Sequence, residues 1–577
     1  MSFGIPVRNG LMLGVSTYVA LSARRVFSPA SLFAAGEPGA WYDPSDFSTL
    51  FQDSVGTTPV TAVAQSVGLM LDKSKGGRQA LPITGWAKNS GDGVVTVSGG
   101  TITITGATTT TRVDIAAPGW AVGDYGDITI NGTVGSAVSP SVFVGGGSPY
   151  VIVSGPKTYQ NLITSSNLLR VQISSGSATF DVTSRGYVPG NHAFQSTAGQ
   201  RPTLGRNPTT GRLNLLTFTE QFDNAAWVKS TITVTSNATV APDGTTTADL
   251  LTQGGGGTAH SVTQTFTGTA AAYTFTTYVK KGTRRFAVLA LTPSAAPNIA
   301  DYAWFDLDTG TRGSMGANLT SSSITSDGSG WFRVSVTKTL TAVSQFTLIT
   351  HSDADNSLSS SAAGTTFVWG AQLNLGTTAT AYQRVVSSFD VTQAGVADLY
   401  YVNFDGTDDG MLTNTITPGI DKAQAFAGLR KFVDTGGVIA ELSTTVDTNA
   451  GSLVHASGNV VGGFYGALSR GSAASSGTQA ATTIAFLAPD TAVLTALHDI
   501  PGDSTIGRRN GVQFGNATGD KGTGNFLAYP LYLGRRGGAS VPFNGNMYSM
   551  IVRFGANLTA DQIAATETWV NGKTGAY

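Results

Sequence analysis

Apolar and polar residues alternate in short runs along most of the chain, and glycine-rich turns separate these runs. Residues Thr101–Ile104 alternate threonine with isoleucine, so a strand here has one polar and one apolar face. Similar runs recur through residues 81–183 at a spacing of about 8–12 residues, and again through residues 214–383. This pattern predicts an all-β protein built from several antiparallel β-sandwich modules in series, of the jelly-roll or concanavalin-like kind.

One segment near the end of the chain shows helical spacing instead. In LTADQIAATETWVNGKTG, Thr559 is a good N-cap, and Ile563, Thr566 and Val570 recur at helical intervals. Gly572 is the predicted stop signal. The sequence therefore predicts a single C-terminal helix that ends near Gly572.

Composition and charge narrow the possible functions. With 577 residues the chain is too long for one hydrophobic core, so about three or four domains are expected. The net charge of −1 gives no global attraction to nucleic acid. The absence of cysteine excludes disulfides and thiolate metal sites and fits folding in a reducing cytoplasm. Residues 11–21 are apolar but interrupted by polar residues, so neither a signal peptide nor membrane insertion is predicted.

Five stretches resemble one class of protein. Trp41–Ser74, Gly190–Arg206 and Tyr401–Leu412 occur in an order that resembles bacteriophage and prophage virion proteins, which are tail-fibre-like and end in a concanavalin/laminin-G-like sandwich. In such proteins the first two stretches are nearly adjacent, so a β-rich module is inserted between them here. The strands GWFRV (330–334) and WGAQL (369–373) resemble carbohydrate-binding-module-like jelly rolls of phage tail proteins.

The resemblance and the strand pattern together predict a modular organisation. The predicted units are an N-terminal virion anchor (1–40), a connecting segment (41–80), a first β-sandwich (81–185), a linker (186–213), a carbohydrate-binding-module-like jelly roll (214–384), a second linker (385–397) and a concanavalin/laminin-G-like sandwich (398–577).

The resemblance also implies a function. We expect a structural phage virion protein, a tail fibre or receptor-binding appendage that contacts host-surface glycan. Its expected partners are other virion proteins through the N-terminal segment and further copies of itself, a trimer if it is a fibre. It would assemble in the host cytoplasm. The alternatives are a capsid or collar decoration (head fibre) protein and, from another class, a glycan-processing tail-spike enzyme. A secreted lectin is disfavoured because no signal peptide is predicted.

Catalytic groups are not evident in the sequence, and no enzyme is expected. A glycosidase needs two converging carboxylates, but glutamate is scarce here. Most aspartates stand in Asp-Gly turns, such as Asp243-Gly244, Asp327-Gly328 and Asp405-Gly406, where turn geometry explains them. An acidic pair converging in one cleft between modules would support the enzyme. The five histidines are far apart in sequence and are expected to be structural: His192, His260, His351, His455 and His498.

Metal and sugar sites have only weak candidates. Asp405, Asp408 and Asp409 in FDGTDDG could hold a structural Ca²⁺, but such turns are common without metal, and no metal or cofactor is expected. Asp353 and Asp355 form a second such group.

Sugar rings stack on exposed aromatic faces. The jelly roll contains four tryptophans: Trp227, Trp304, Trp331 and Trp369. Trp331 and Trp369 are expected in the core, and no ligand-binding residue is assigned.

Overall fold

The predicted fold class is confirmed. A computed structural model describes residues 27–577, apart from 117, 165–167, 255–259, 294–297, 342–343, 359–362, 458–462, 474–479 and 482–484. The chain is all-β, with 51% of its residues in strands and 6% in helices, and its sheets are antiparallel apart from one single-bridge parallel pairing. Within the described ranges, no helix is long and apolar enough to cross a membrane.

The strands are numbered along the chain. Strands β1–β4 precede the first module: Gly39–Tyr42, Leu50–Phe51, Leu69–Met70 and Gln79–Ala80. Strands β5–β14 belong to the first module: Ala87–Ser90, Val94–Ser98, Thr101–Ala107, Thr111–Ile115, Tyr125–Thr133, Ser141–Val144, Tyr150–Val151, Gly155–Leu162, Leu169–Ile173 and Gly176–Val188. Strands β15 and β16 follow it: Ala193–Phe194 and Thr203–Pro208.

The remaining strands and the helices complete the chain. Strands β17–β28 belong to the second module: Val228–Ser230, Ile232–Thr239, Ala248–Gln253, Ser261–Thr267, Ala271–Lys281, Phe286–Thr292, Tyr302–Asp306, Thr311–Met315, Ser321–Gly328, Trp331–Leu340, Ser344–Ser352 and Gly364–Leu375. Strands β29–β42 follow: Gln383–Ser387, Asp390–Gln393, Asp398–Asp405, Met411–Ile416, Lys422–Lys431, Val438–Leu442, Ser452–Ala456, Gly466–Arg470, Ala480–Ala481, Asp490–Asp499, Ser504–Arg509, Val512–Ala517, Tyr529–Leu533 and Asn544–Phe554. Helix α1 is Ala560–Thr574, and short 3-10 helices are Pro29–Phe33, Phe47–Thr49, Ala198–Gln200 and Ile299–Asp301.

The C-terminal sandwich is discontinuous in sequence. Its first sheet has the order β29-β30-β16-β31-β42-β33-β38-β39-β40, with β1 also paired to β42, and its second has the order β2-β3-β15-β32-β41-β34-β35-β36-β37. The segments assigned above as connector (41–80) and linkers (186–213 and 385–397) therefore carry strands of this sandwich. Their strands are two to six residues long, too short to show the alternation from which strands are predicted.

A buried carboxylate joins two of these distant pieces. Asp72 is fully buried, and its side chain accepts hydrogen bonds from the backbone N–H groups of Trp41, Ser74 and Asn191, each at 2.8 Å. Gly190 has φ +147°, and a Cβ there would lie 2.7 Å from Asp72 Oδ2. Only glycine fits this approach, so the chain returns from the first module directly beside the point where it left.

In each inserted module, the chain segments that enter and leave the module contact each other. In the first module, the chain enters at Gln79–Ala80, which pairs with Gly186 and Tyr187 where the chain leaves. Its two sheets, β12-β9-β14-β7-β6 and β11-β10-β13-β8-β5, enclose a core that includes Ile102 and Ile104, the apolar face predicted from the alternation.

The second module is closed by side-chain amides. Its sheets are β17-β20-β27-β22-β23-β24 and β18-β19-β28-β21-β26-β25. Asn214 Nδ2 donates to the carbonyl of Gln383 at 2.9 Å, and the Gln383 side chain accepts from the N–H of Leu213 at 2.7 Å. The segments that enter and leave the module are therefore hydrogen-bonded to each other. An inserted module needs this, because both of its ends connect to the same sandwich.

The described part of the predicted anchor packs on its own chain. Leu32 and Phe33 lie against Phe426 and Ile551 on the outer face of the first sheet of the C-terminal sandwich. Arg553 donates to the carbonyl of Leu32 at 2.6 Å. Residues 27–40 are thus a cap on this sandwich, and residues 1–26 lie outside the described part of the chain.

Helix α1 begins where predicted and ends later. Thr559 and Gln562 form a capping box. Gly575, with φ 63°, ends the helix, and its N–H donates to the carbonyl of Asn571. The prediction of Gly572 as the stop was wrong; Gly572 lies inside the helix, and the left-handed cap forms one residue after Thr574.

Candidate functional site

A cleft of about 490 Å³ lies where the second module meets the edge of the C-terminal sandwich. Its volume is within the range of small-ligand sites. The module supplies aromatic and charged side chains, and strand β30 supplies Thr392 and Gln393. The main lining residues of the module and of the chain leaving it are Glu220, Asp243, Tyr278, Asp327, Trp369, Tyr382 and Arg384.

Strand register places the aromatic rings together. Tyr278 on β21 stands opposite Trp369 on β28 and opposite Arg333 on β26. The register of β28 shifts at this point, and Gly370 has φ 63°. A Cβ on Gly370 would lie 3.1 Å from the Tyr278 ring and 3.3 Å from the Tyr382 ring. The bulge therefore turns Trp369 and lets two tyrosines pack over the backbone.

The three rings form one packed cluster. Ring centroids are 5.2 Å apart for Tyr278 and Trp369, 4.7 Å for Trp369 and Tyr382, and 6.2 Å for Tyr278 and Tyr382. These distances leave no room for a ligand between the rings. Trp369 is 4% exposed, whereas both tyrosines are only partly buried. A ligand would therefore contact the outer surfaces of Tyr278 and Tyr382, with Trp369 as their support.

Hydrogen bonds hold Tyr382 and Glu220 in place. The Tyr382 hydroxyl donates to Glu220 at 3.0 Å, and Arg384 Nε donates to the same carboxylate at 3.2 Å. Burial raises the pKa of Glu220 above its usual range, and Arg384 opposes this rise. Burial also raises the pKa of Tyr382 well above its usual value, and the Glu220 charge adds to the rise. The phenol therefore stays neutral.

Two further carboxylates stand at the cleft on Asp-Gly turns. Gly244 and Gly328 have φ values of 87° and 84°, so turn geometry explains both turns as predicted. Asp243 accepts hydrogen bonds from the N–H and hydroxyl of Thr245. Asp327 has no hydrogen bond or ion pair from its side chain to any described residue. The described lining thus contains three carboxylates and one guanidinium, which is already paired with Glu220.

The tryptophans weighed from the sequence do not present a free face. Trp227 and Trp304 are 0% exposed, and Trp331 and Trp369 are 2% and 4% exposed. All four therefore pack inside the module, as expected for Trp331 and Trp369. The tyrosines that line the cleft were missed because Tyr278 lies in a regular strand, and Tyr382 follows the module's last strand.

The structure brings the calcium candidates together. Asp405, Asp408 and Asp409 each offer a ligand oxygen within 4.8 Å of the others. Backbone N–H groups of the turn already bind two of these carboxylates. Asp405 accepts a hydrogen bond from the N–H of Thr407 at 2.7 Å, and Asp409 accepts one from the N–H of Asp405 at 3.1 Å. Burial and the Asp405 charge raise the pKa of Asp409 to about 7. The geometry admits a cation, and the expectation of no metal stays a prediction.

The second acidic group does not form a cluster. Asp353 pairs with Arg284. Asp355 accepts hydrogen bonds from the N–H and hydroxyl of Ser314, both at 2.8 Å. Protein donors therefore occupy both carboxylates.

A larger cleft of about 620 Å³ lies between the C-terminal sandwich and the first module. Its aromatic residues, Trp41, Phe51 and Tyr125, are each about 95% buried. Its charged lining residues are Asp46, Asp72, Lys73, Arg78 and Asp127. Both cations are already paired, Lys73 with Asp46 at 2.7 Å and Arg78 with Asp127 at 2.6 Å. Its aromatic rings are therefore buried and its cations are paired, whereas Tyr278 and Tyr382 of the smaller cleft are partly exposed.

The five histidines are all buried, at 4% exposure or less. His260 and His351 pack with their ring centroids 5.2 Å apart, and His260 Nε2 is 2.7 Å from the carbonyl of His351. Burial lowers the pKa of His455 to about 4 and that of His498 to about 3. Neutral, structural histidines fit these environments.

Comparison with known proteins gives distant structural likenesses. No protein family and no curated protein matches the chain. The structure is similar to a putative carbohydrate binding protein from Bacteroides ovatus, at 10% identity over 55% of this chain and 79% of that one, with a TM-score of 0.21. It is similar to domains LG4-5 of the mouse laminin alpha1 chain, at 11% identity over 53% and 90% of the two chains, with a TM-score of 0.21. The N-terminal tandem CBM22 domains of Xyn10C from Paenibacillus barcinonensis match at 12% identity over 55% and 100%, with a TM-score of 0.20. At these scores the functions of those proteins are not carried over to this chain.

Proposed function

We propose that this chain is a non-catalytic, glycan-binding structural protein of a phage virion, a tail fibre or receptor-binding appendage, and that the cleft beside Tyr278 and Tyr382 binds the glycan. The observation that carries the binding site is the cleft itself. Two partly buried tyrosine faces stand beside carboxylate, amide and hydroxyl groups in one concave site. Sugar rings need this combination, because their C–H faces pack on aromatic rings while their hydroxyls need hydrogen-bond partners.

Each group has a role in this proposal. Tyr278 and Tyr382 supply the stacking surface, and Glu220 and Arg384 hold Tyr382 in place. Asp327, Asp243 and the side chains of β30 meet the hydroxyls at the rim. The site joins two modules, so a bound glycan touches both the second module and the C-terminal sandwich.

The virion role is supported by the order of the three stretches that resemble phage proteins. Trp41–Ser74, Gly190–Arg206 and Tyr401–Leu412 are separated in sequence, yet all three contribute to the same sandwich. The proposed contact with other virion proteins is through segment 1–40, of which the structure describes residues 27–40. Several copies on one particle would raise a weak affinity by about 10²–10⁴ through avidity.

Glycan-array screening followed by calorimetry tests the binding site. Tyr278→Ala should weaken the best glycan about tenfold or more, because a stacking surface worth about 1.4 kcal/mol is removed. Tyr532→Ala removes a partly buried tyrosine of the C-terminal sandwich and should leave affinity unchanged. Thermal unfolding of each variant checks folding. Equal binding by wild type and Tyr278→Ala, with both folded, would place the site elsewhere.

The same cleft favours a second candidate, the glycan-processing enzyme. Three carboxylates do converge between modules, and the pKa of Glu220 is raised, as a general acid requires. Against this, Glu220 is bonded to both Tyr382 and Arg384. Incubation with the bound oligosaccharide decides between the two. New reducing ends that disappear in Glu220→Gln would establish the enzyme, and an intact oligosaccharide would favour binding alone.

A further inference from the structure

We infer that the glycan recognised in this cleft carries a free amine, and that acidic glycans are rejected. This inference rests on the proposed function, since it names the ligand class of the same site. It comes from the charges that face the cleft and from the aromatic surface between them.

Negative charge is in excess among the side chains that line the cleft. Glu220, Asp243 and Asp327 line the cleft, against Arg384 alone. Arg384 is committed to Glu220 at 3.2 Å. Two carboxylates at the rim are therefore left without a counter-ion among the described residues, and a clustered charge of one sign attracts a ligand of the other.

Asp327 lines the same cleft as Tyr278. Burial raises the pKa of Tyr278, the Arg333 charge opposes this rise, and the Asp327 charge adds to it. Arg333 stacks on the Tyr278 ring, with its guanidinium carbon 5.6 Å from the centroid, and donates to the carbonyl of Thr380 at 2.6 Å. Arg333 therefore faces the Tyr278 ring and the Thr380 carbonyl and does not line the cleft, whereas the Asp327 side chain lines it and has no hydrogen bond or ion pair to any described residue.

The tyrosine rings favour the same class of ligand. An ammonium group is attracted to the face of a tyrosine and to a nearby carboxylate at the same time. Tyr278 and Asp327 offer both within one cleft. A carboxylate or sulfate group on a sugar would meet like charge on the rim, and Arg384, the guanidinium in the described lining, is already paired with Glu220. An unacetylated amino sugar fits these charges, whereas a sialylated, uronic or sulfated one does not.

The test compares matched oligosaccharides on the full chain. Glucosamine oligomers and the same oligomers with N-acetyl groups differ only in charge and one acetyl group, and a sulfated oligomer supplies the acidic case. Calorimetry in a buffer that protonates the amine should show roughly tenfold tighter binding of the free amine, with this preference shrinking at high salt. Asp327→Asn combined with Asp243→Asn should abolish the preference. Asp447→Asn removes an exposed charge from the loop between β34 and β35, away from the cleft, and should keep the preference.

The outcomes separate this inference from the proposal on which it rests. Equal or tighter binding of the acetylated or sulfated oligomer overturns the amine inference and leaves glycan binding intact. Binding of none of the three probes, with no glycan captured on an array, overturns both. A preference that persists in the Asp243/Asp327 double variant would show that other groups recognise the amine, and would contradict the assignment made here.

Discussion

Removal of the Asp72 carboxylate should unfold the C-terminal sandwich before the inserted modules. Asp72 is 0% exposed and accepts hydrogen bonds from three backbone N–H groups and from the Ser74 hydroxyl. In Asp72→Ala two buried N–H donors, those of Trp41 and Ser74, and the part-buried N–H of Asn191 lose their acceptor. Each unsatisfied donor costs about 1–3 kcal/mol, so the loss is about 3–9 kcal/mol. A domain is typically stable by only about 5–15 kcal/mol, so this loss is a large fraction.

A matched control separates burial from the number of hydrogen bonds. Asp53 also accepts from three backbone N–H groups, those of Val55, Thr57 and Thr58, but these lie on an exposed loop. Water can replace the carboxylate there, so Asp53→Ala should cost about 1 kcal/mol or less. Asp72→Asn keeps the shape but turns an NH₂ toward one donor, and its cost should fall between the two.

Hydrogen exchange with mass spectrometry in graded denaturant provides the assay, because a chain of several domains does not unfold in one step. Peptides from 193–206 and 398–412 should lose protection in Asp72→Ala, whereas peptides from the second module should keep it. Equal losses in Asp72→Ala and Asp53→Ala would refute the role of Asp72 as the junction of the discontinuous sandwich. A loss confined to residues 39–74 would refute it as well.

Three further predictions concern the same sandwich. The pKa of His498 is lowered to about 3 and that of His455 to about 4 by burial, so the folded state excludes protons that the unfolded state binds. The free energy of unfolding should be unaffected by these histidines above about pH 6.5. It should fall by about 1.4 kcal/mol per pH unit for each histidine as the pH drops toward 4. In urea titrations His498→Phe should reduce this slope. The pKa of Asp409 is raised to about 7, so its contribution to stability is present below about pH 4 and lost as pH rises through 7. In a chelator, Asp409→Asn should therefore be more stable than wild type at pH 8 by on the order of 3 kcal/mol and equal at pH 4; equal stability at both would contradict the shift. Thr559→Ala should cost about 1 kcal/mol by removing the N-cap of α1, whereas Thr568→Ala on the exposed face should cost nothing, as judged by exchange in the helix.

Short sequence patterns predicted the features that depend on neighbouring residues alone. The Thr559 cap gave the start of α1, and the alternation at Thr101–Ile104 gave a strand with its apolar face in the core. Strand β12, Gly155–Leu162, carries no such signal, because GPKTYQNL has no regular alternation and its first half is largely exposed. The discontinuous sandwich was suggested by the resemblance alone, since strands as short as β2 and β15 carry no periodic signal.

The candidate site depends on contacts that no local pattern contains. Tyr278 and Tyr382 meet because the register of β21 and β28 shifts at Gly370. Asp243 and Asp327 were explained as turn residues, which they are, but the fold also places both turns on one cleft. Convergence of this kind follows from pairing between distant strands, so the sequence could name the turns without locating the site.

A crystal structure of the full chain with the tightest oligosaccharide from the array tests the central claim most directly. The account predicts a sugar ring against Tyr278 and Tyr382, with its polar groups reaching Asp327 and Gln393. A sugar seated in the larger cleft beside Trp41, or at any other surface with this cleft empty, would contradict it.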